Sequence, residues 1–153
     1  MSESERPIRE IAYNRKAKRD YELLDKLEVG IQLVGTEVKT LRNGQVSLSE
    51  AFVKIKDGQM WLEKCHIDEY SEGNQHNHDP ARPRRLLAHR REVLKWFQKM
   101  KEKGLTIIPL RLYFKGRHAK LEIAMARGRK RHDKRQAMKD RDSRKELRGL
   151  RRR

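Results

Sequence analysis

The side chains with catalytic or metal-binding chemistry to offer gather at Cys65-His66 and at His76-Asn77-His78. A thiol beside an imidazole suggests a nucleophile and its base. Neighbours in an extended strand point to opposite faces, however, so Cys65 and His66 cannot readily form that pair. Zinc is the second option. It needs convergent ligands, usually at paired spacings. Cys65, His66, His76 and His78 supply ligand atoms without such spacing, and the loop around the later histidines is polar. No Walker-type glycine loop and no dinucleotide fingerprint occurs. The expectation is a chain without enzymatic chemistry, metal or cofactor.

Charge points elsewhere. The 153 residues hold 39 Lys and Arg against 22 Asp and Glu, a net +17. Charged residues make up 40% and hydrophobic ones 35%, so only part of the chain can build a core. Such an excess favours a polyanionic partner. From Arg127 to Arg153 there are 14 basic against 4 acidic residues, which is more than half of the excess. Binding to a membrane surface would need bulky apolar residues opposite the cations. The tail offers only Ala137, Met138, Leu147 and Leu150. No apolar run nears the roughly 20 residues that cross a bilayer. Met1 to Pro7 shows no apolar signal core, and the single Cys65 cannot form an internal disulfide, so a cytoplasmic protein is expected. Nucleic acid is the partner that charge favours. Two shorter runs, Asn14 to Arg19 and Arg82-Pro83-Arg84-Arg85, read as phosphate contacts, with a merely solvated face as the alternative. Tyr13, Tyr70 and His132 lie outside the periodic segments and suit stacking on unpaired bases.

These residues need a scaffold. Apolar residues fall on odd positions at Tyr21, Leu23, Leu27, Val29, Ile31 and Leu33, predicting a long half-buried strand. Gly30 within it suggests a bulge or bend. Gly35 to Gly44 predicts a short helix, capped by Thr36 and stopped by Asn43-Gly44. Ala51 to Ile55 and Gln59 to Ile67 form a hairpin about Asp57-Gly58. Asp68 to Arg85 reads as a loop. Val93, Trp96, Phe97 and Met100 follow helical spacing within His89 to Lys103, ended by Gly104. Leu105 to Phe114 and Ala119 to Ala126 form a second hairpin, with Pro109 at an edge or bulge. The organisation expected is a flexible 1–10, a barrel domain at 11–126 and a basic tail at 127–153. The fold class is mainly β: a small antiparallel barrel of the oligonucleotide-binding type with flanking helices. A split α+β sheet fits the pattern nearly as well. Composition suits a tail that is disordered when free and becomes helical on a partner.

Six blocks in order carry a family likeness. They are Asn14-Arg15-Lys16-Ala17, Glu28-Val29-Gly30-Ile31-Gln32-Leu33, Gly35 to Arg42, Asp79 to Leu87, Pro109 to Phe114, and Gly128 to Arg135. With them the chain resembles the SsrA-binding (small protein B) family, bacterial partners of transfer-messenger RNA. The resemblance implies binding to the tRNA-like domain of that RNA. It further implies delivery, indirectly with elongation factor Tu, to stalled ribosomes for trans-translation. There the tail would sense the empty mRNA channel beside the decoding centre and 16S rRNA. It implies RNA-binding roles for Asn14, Glu28 and Leu87. Basic residues of these blocks and of the run Asn14 to Arg19, namely Arg15, Lys16, Lys18, Arg19, Lys39, Arg42, Arg84 and Arg85, join them as expected RNA contacts. It implies ribosomal roles for Gly128, Arg129, Lys130, His132, Asp133, Lys134 and Arg135, with His132 as base-stacker. Departures are small: Arg129 stands where the family has Lys, and Ala88 where it has Leu. A monomer acting without a membrane is expected. The competing readings are a constitutive rRNA-binding protein and an RNA-modifying enzyme using Cys65, His76 and His78.

Overall fold

A computed structural model describes residues 6–72 and 77–129. Its strands are β1 (Ile8–Tyr13), β2 (Tyr21–Ile31), β3 (Val46–Ser47), β4 (Phe52–Lys56), β5 (Gln59–Glu63), β6 (His66–Ile67), β7 (Arg84–Leu87), β8 (Thr106–Lys115) and β9 (His118–Gly128). The helices are α1 (Ala17–Asp20), α2 (Gly35–Arg42) and α3 (Arg90–Lys103). Antiparallel pairing runs β8-β4-β5-β7-β2-β9 and returns to β8, which closes a barrel. β9 fills one edge of β8. The other edge is shared: β4 pairs at Ile107, and β1 pairs from Arg111 to Lys115. Closure leaves the ring without an open edge.

Period two decides what lies inside. Val29, Ile31, Val53, Met60, Leu62, Ile107, Leu112, Leu121, Ile123 and Met125 are all buried in one cluster, joined by Leu41 of α2 and by Val93 and Trp96 of α3. Each large side chain so buried contributes about 1.5–3 kcal/mol. The turns carry their expected chemistry. Asp57 and Gly58 both have positive φ, as a two-residue hairpin turn of primed type demands. Gly104, at φ 60°, ends α3.

Several expectations change. The odd-numbered apolar row of β2 does not share one face, because a bulge lies between Leu23 and Asp25. Tyr21 and Leu23 pack outside the barrel on Ala17, Ile108, Leu110, Ala124 and Ala126. Leu27, Val29 and Ile31 face inward. Gly30 is not bulged. It pairs with Leu87 on one side and Lys120 on the other, and a Cβ there would sit 3.2 Å from Leu87 Cβ. Thr36 lies within α2, and Val34 is the N-cap, its N–H donating to Glu37 Oε1 at 3.0 Å. Strand β7 occupies the end of the stretch read as a loop. Strand β1 begins at Ile8, inside the stretch read as flexible. Pro109 does border a register shift, between it and Arg111.

Candidate nucleic-acid interface

Directly opposed residues on neighbouring strands share a face. Leu87, Gly30, Lys120, Tyr113 and Glu10 form one such row across β7, β2, β9, β8 and β1. Glu28, Glu122, Arg111 and Tyr13 form the next. Their immediate neighbours Val29, Leu121 and Leu112 point into the core, so both rows lie on the barrel's outer surface. Leu87 is 50% exposed and Tyr13 is 55% exposed, unusual for large apolar side chains on a charged face. Arg85, two residues before Leu87, shares the face and is exposed. Between β2, β7 and α3 the surface sinks into an open groove of about 570 Å³ lined by Glu28, Gly30, Arg85, Leu87, His89 and Lys120.

Glu28 is the acid in this groove with the most determined surroundings. Its Oε2 accepts the Tyr113 hydroxyl, and Lys115 Nζ stands 3.4 Å from Oε1. Partial burial works to raise its pKa, but these donors and nearby Lys120 outweigh it. The carboxyl therefore titrates below its ordinary range. Tyr113 is 1% exposed. Burial and the bond to Glu28 push its pKa far up, so the hydroxyl keeps its proton and keeps donating. Arg111 covers the Tyr113 ring with its guanidinium 4.5 Å from the centroid, and is held by Glu10 at 3.0 Å and Glu122 at 3.5 Å. The sequence reading missed Tyr113, Arg111, Lys115, Lys120 and Glu122. The available signal was the alternation of polar His118, Lys120 and Glu122 along β9.

A second basic region surrounds the start of β2, about 23 Å from Glu28 at roughly 3.3 Å per residue. Here Gly128 pairs with Tyr21, and Arg129 donates from its backbone N–H to the Asp20 carbonyl at 2.9 Å and from Nε to the Tyr21 carbonyl at 3.2 Å. Arg15 and Lys18 are exposed beside it. Lys16 sits 3.6 Å from Glu50, and Arg19 binds Asp20 at 2.9 Å. Asn14 is different: only 6% exposed, it donates from Nδ2 to the Pro109 carbonyl at 2.8 Å and from its backbone N–H to the Leu110 carbonyl at 2.7 Å. It latches the end of β1 onto the bulge of β8 and so aims the Arg15–Arg19 corner. On α2, Lys39 lies over the Tyr70 ring at 5.5 Å, and the Arg42 carbonyl accepts from Arg9 at 2.9 Å; both side chains are exposed.

Arg84 is a correction. It was expected on RNA, yet it is 0% exposed and bound to the equally buried Glu37. Its Nη1 also donates to the Cys65 carbonyl at 2.6 Å and Nη2 to the Pro80 carbonyl at 3.0 Å. Arg82 grips the same carboxylate from the other side, with Nε 3.2 Å from Oε2. A buried carboxylate needs such partners; it takes Arg84 away from the surface altogether and ties down Arg82, whose side chain stays 30% exposed. Of the three arginines in that run, Arg85 is the exposed one, on the outer face.

The residues with catalytic possibilities do not converge. Cys65 lies between β5 and β6, is fully buried, and has its thiol pushed up to about 11 by burial. His66 faces out, 3.0 Å from Asp68. His78 is buried, with Nδ1 2.9 Å from Thr36 Oγ1 and Nε2 2.9 Å from the Ile67 carbonyl. Among the described residues no group of His, Cys, Asp and Glu gathers as a metal site. His76 lies outside the described residues, as do Lys130, His132, Asp133, Lys134 and Arg135. No described helix is long and apolar enough to cross a membrane.

Comparison with known proteins gives consistent results. The family model described as SmpB protein matches residues 11–153. The SsrA-binding protein of Carboxydothermus hydrogenoformans is 52% identical over 137 residues, covering 90% of this chain and 92% of that protein. That of a Parafrankia species is 53% identical over 137 residues, covering 90% and 87%. A solved structure described as a journey of tmRNA–SmpB to the centre of the bacterial ribosome aligns with a TM-score of 0.67 and 42% identity. It covers 83% of this chain and 93% of its own.

Proposed function

This chain belongs to the SmpB family, and from that premise we propose that it binds transfer-messenger RNA and serves trans-translation on the ribosome. The barrel holds the tRNA-like domain, and residues 127–153 report an empty mRNA channel. Delivery to stalled ribosomes, with elongation factor Tu acting through the RNA, follows from the same reading. So do a cytoplasmic site of action, a monomeric protein and a role without catalysis.

The observation that supports it is the pairing of two separated surfaces on one rigid barrel. One is the groove at Glu28, Gly30 and Leu87, where an exposed apolar side chain lies among charges. The other is the cationic corner at Arg15, Lys16 and Lys18, where the chain departs through Arg129. Structured RNA is held through shape, phosphates and unstacked bases, which such surfaces supply. A barrel that carries groove and tail root apart can hold one RNA while offering the tail to another.

The test has two parts. In a gel shift at about 0.15 M salt, where phosphate contacts are screened, the full chain should prefer the tRNA-like domain of transfer-messenger RNA to an ordinary tRNA. Equal affinities would refute the assignment. A chain ended after Arg129 should retain that binding and fail to support tagging. Arg129 is the sensible place to cut because Gly128 is still paired in β9. Loss of RNA affinity by orders of magnitude in that truncation would refute the division of labour.

A further inference from the structure

We propose that the groove beside Gly30 is a binding site for an unpaired guanine base, read by the Glu28 carboxylate and stacked on Leu87. The inference rests on the RNA-binding reading above and adds which base the groove takes.

The groove holds a mismatch of charge. In a chain of net +17 the surface that meets RNA should be cationic, yet a carboxylate stands in this groove. A carboxylate repels phosphate, so its use toward RNA is with hydrogen-bond donors. Each of its oxygens has about two lone-pair positions. One on Oε2 is taken by Tyr113 and one on Oε1 faces Lys115, which leaves an acceptor on each oxygen for a ligand. Two acceptors side by side match two donors side by side. Guanine alone among the four bases offers that on its Watson–Crick edge, N1–H beside the N2 amine. Cytosine and adenine offer one amine next to a ring acceptor that a carboxylate opposes. Uracil offers one imino proton between two carbonyls.

The surroundings fix the geometry such a reading needs. Tyr113 lies nearly fully buried under Arg111 on the outer face and bonds Glu28 from there, so the carboxylate is oriented before any base arrives. Leu87 presents half of its surface to solvent, an apolar shelf for a base face. Gly30 keeps the floor clear. A Cβ at that position would press on Leu87 Cβ at 3.2 Å and displace the shelf. Arg85, exposed on the same face as Leu87, is placed for the flanking phosphate. Lining residues from β2, β7 and α3 leave about 570 Å³, open at the top, which admits a base still attached to its strand.

The experiment uses the full chain and single-stranded pentanucleotides of sequence UUXUU, with X guanosine, inosine, adenosine, cytidine or uridine. Affinities are measured by fluorescence anisotropy at one fixed salt concentration, because phosphate contacts are common to all five. The guanosine oligonucleotide should bind most tightly. Inosine lacks only the N2 amine and should lose about tenfold. Glu28→Gln should bring the guanosine-to-inosine ratio to near one. Tyr113→Phe keeps the ring's packing and removes only the donor. It should shrink the guanosine-to-inosine ratio, and it serves as the test if Glu28→Gln does not fold. Equal binding of guanosine and inosine by the wild-type chain, tightest binding of another base, or a ratio unaltered in the folded variants would overturn the proposal. Loss of the guanine preference with transfer-messenger RNA binding intact removes this inference alone. Failure to bind that RNA removes the earlier reading instead.

Discussion

Asn14 to Arg19 and Arg82 to Arg85 are two short basic runs of much the same composition, and the fold treats them in opposite ways. The first is a corner of the surface, with Arg15 and Lys18 in solvent and Asn14 holding the backbone that carries them. The second is turned inward, with Arg82 and Arg84 closing on Glu37. The difference is made by one acid, 47 residues away from Arg84 in sequence. A cation is a surface group only when nothing buried requires it. Arg84 alternates with Leu86 toward the interior, whereas Arg85 and Leu87 alternate outward, so adjacent arginines of one strand perform different tasks.

Breaking the inner set should have the largest effect. Glu37→Ala leaves two arginines facing an empty site, one of them fully buried, and should cost about 3–5 kcal/mol in urea unfolding. Arg84→Ala should cost a similar amount. Full stability in either variant would remove the distinction between the two runs.

The same carboxylate sets a pH dependence. Burial works to raise the Glu37 pKa, but hydrogen bonds from Arg82, the Val34 N–H and Arg84 outweigh it and hold it below its ordinary value. A depressed folded-state pKa gives stability that is present above the ordinary carboxylate range and is lost as pH falls through the lowered value. Acid titration of unfolding free energy should therefore steepen below the ordinary carboxyl pKa. Glu37→Gln should be less stable at neutral pH and have a shallower acid slope. An unchanged slope would mean that other acids dominate.

Gly30→Ala has an intermediate expected effect. The added Cβ meets Leu87 Cβ at 3.2 Å, where the floor of the groove is tight. About 1–3 kcal/mol of stability should go, and RNA affinity should fall through displacement of Leu87. Wild-type affinity in a destabilised variant would separate the glycine's packing role from the groove. The smallest changes in stability belong to the outer run. Arg15→Ala, Lys18→Ala and Arg85→Ala should each stay within about 0.5 kcal/mol of wild type. If they touch phosphates, each should weaken RNA binding and lower the slope of log affinity against log salt by about one. Arg84→Ala and Arg85→Ala, one residue apart, sharpen the comparison most directly: one should lose stability, the other only affinity.

Most of the barrel was legible because its signals are local. Asp57-Gly58 specifies its turn, Gly104 ends its helix, and Val93 and Trp96 recur at helical spacing. What escaped was long-range. The bulge between Leu23 and Asp25 leaves the odd-numbered pattern of β2 intact while exchanging the face it describes. Strand β1 is short and mostly exposed, and it exists because β8 has unpaired length beyond Ile107 to offer. Strand β7 was hidden because its inward residues are an arginine and a leucine. Within the candidate site, Glu28 and Leu87 are indicated by the family likeness and Arg85 by the basic run that holds it, and the groove does bring these three together. Asn14 was named with them but sits apart, as a latch. Tyr113 was invisible as a partner of Glu28 because their contact spans 85 residues and depends on the register of three strands.

Cys65 carries a record of time. It is the chain's only cysteine, it is fully buried, and its carbonyl is tied to Arg84. A thiol reagent can reach it only after the packing around it has opened, at the place where the Arg84–Glu37 pair ties the chain down. The rate at which the thiol is consumed is therefore a stopwatch for opening of that region, readable without introducing any further cysteine. At high reagent concentration the rate should level off at the opening rate itself, and that plateau gives the lifetime of the closed barrel at its Arg84 side.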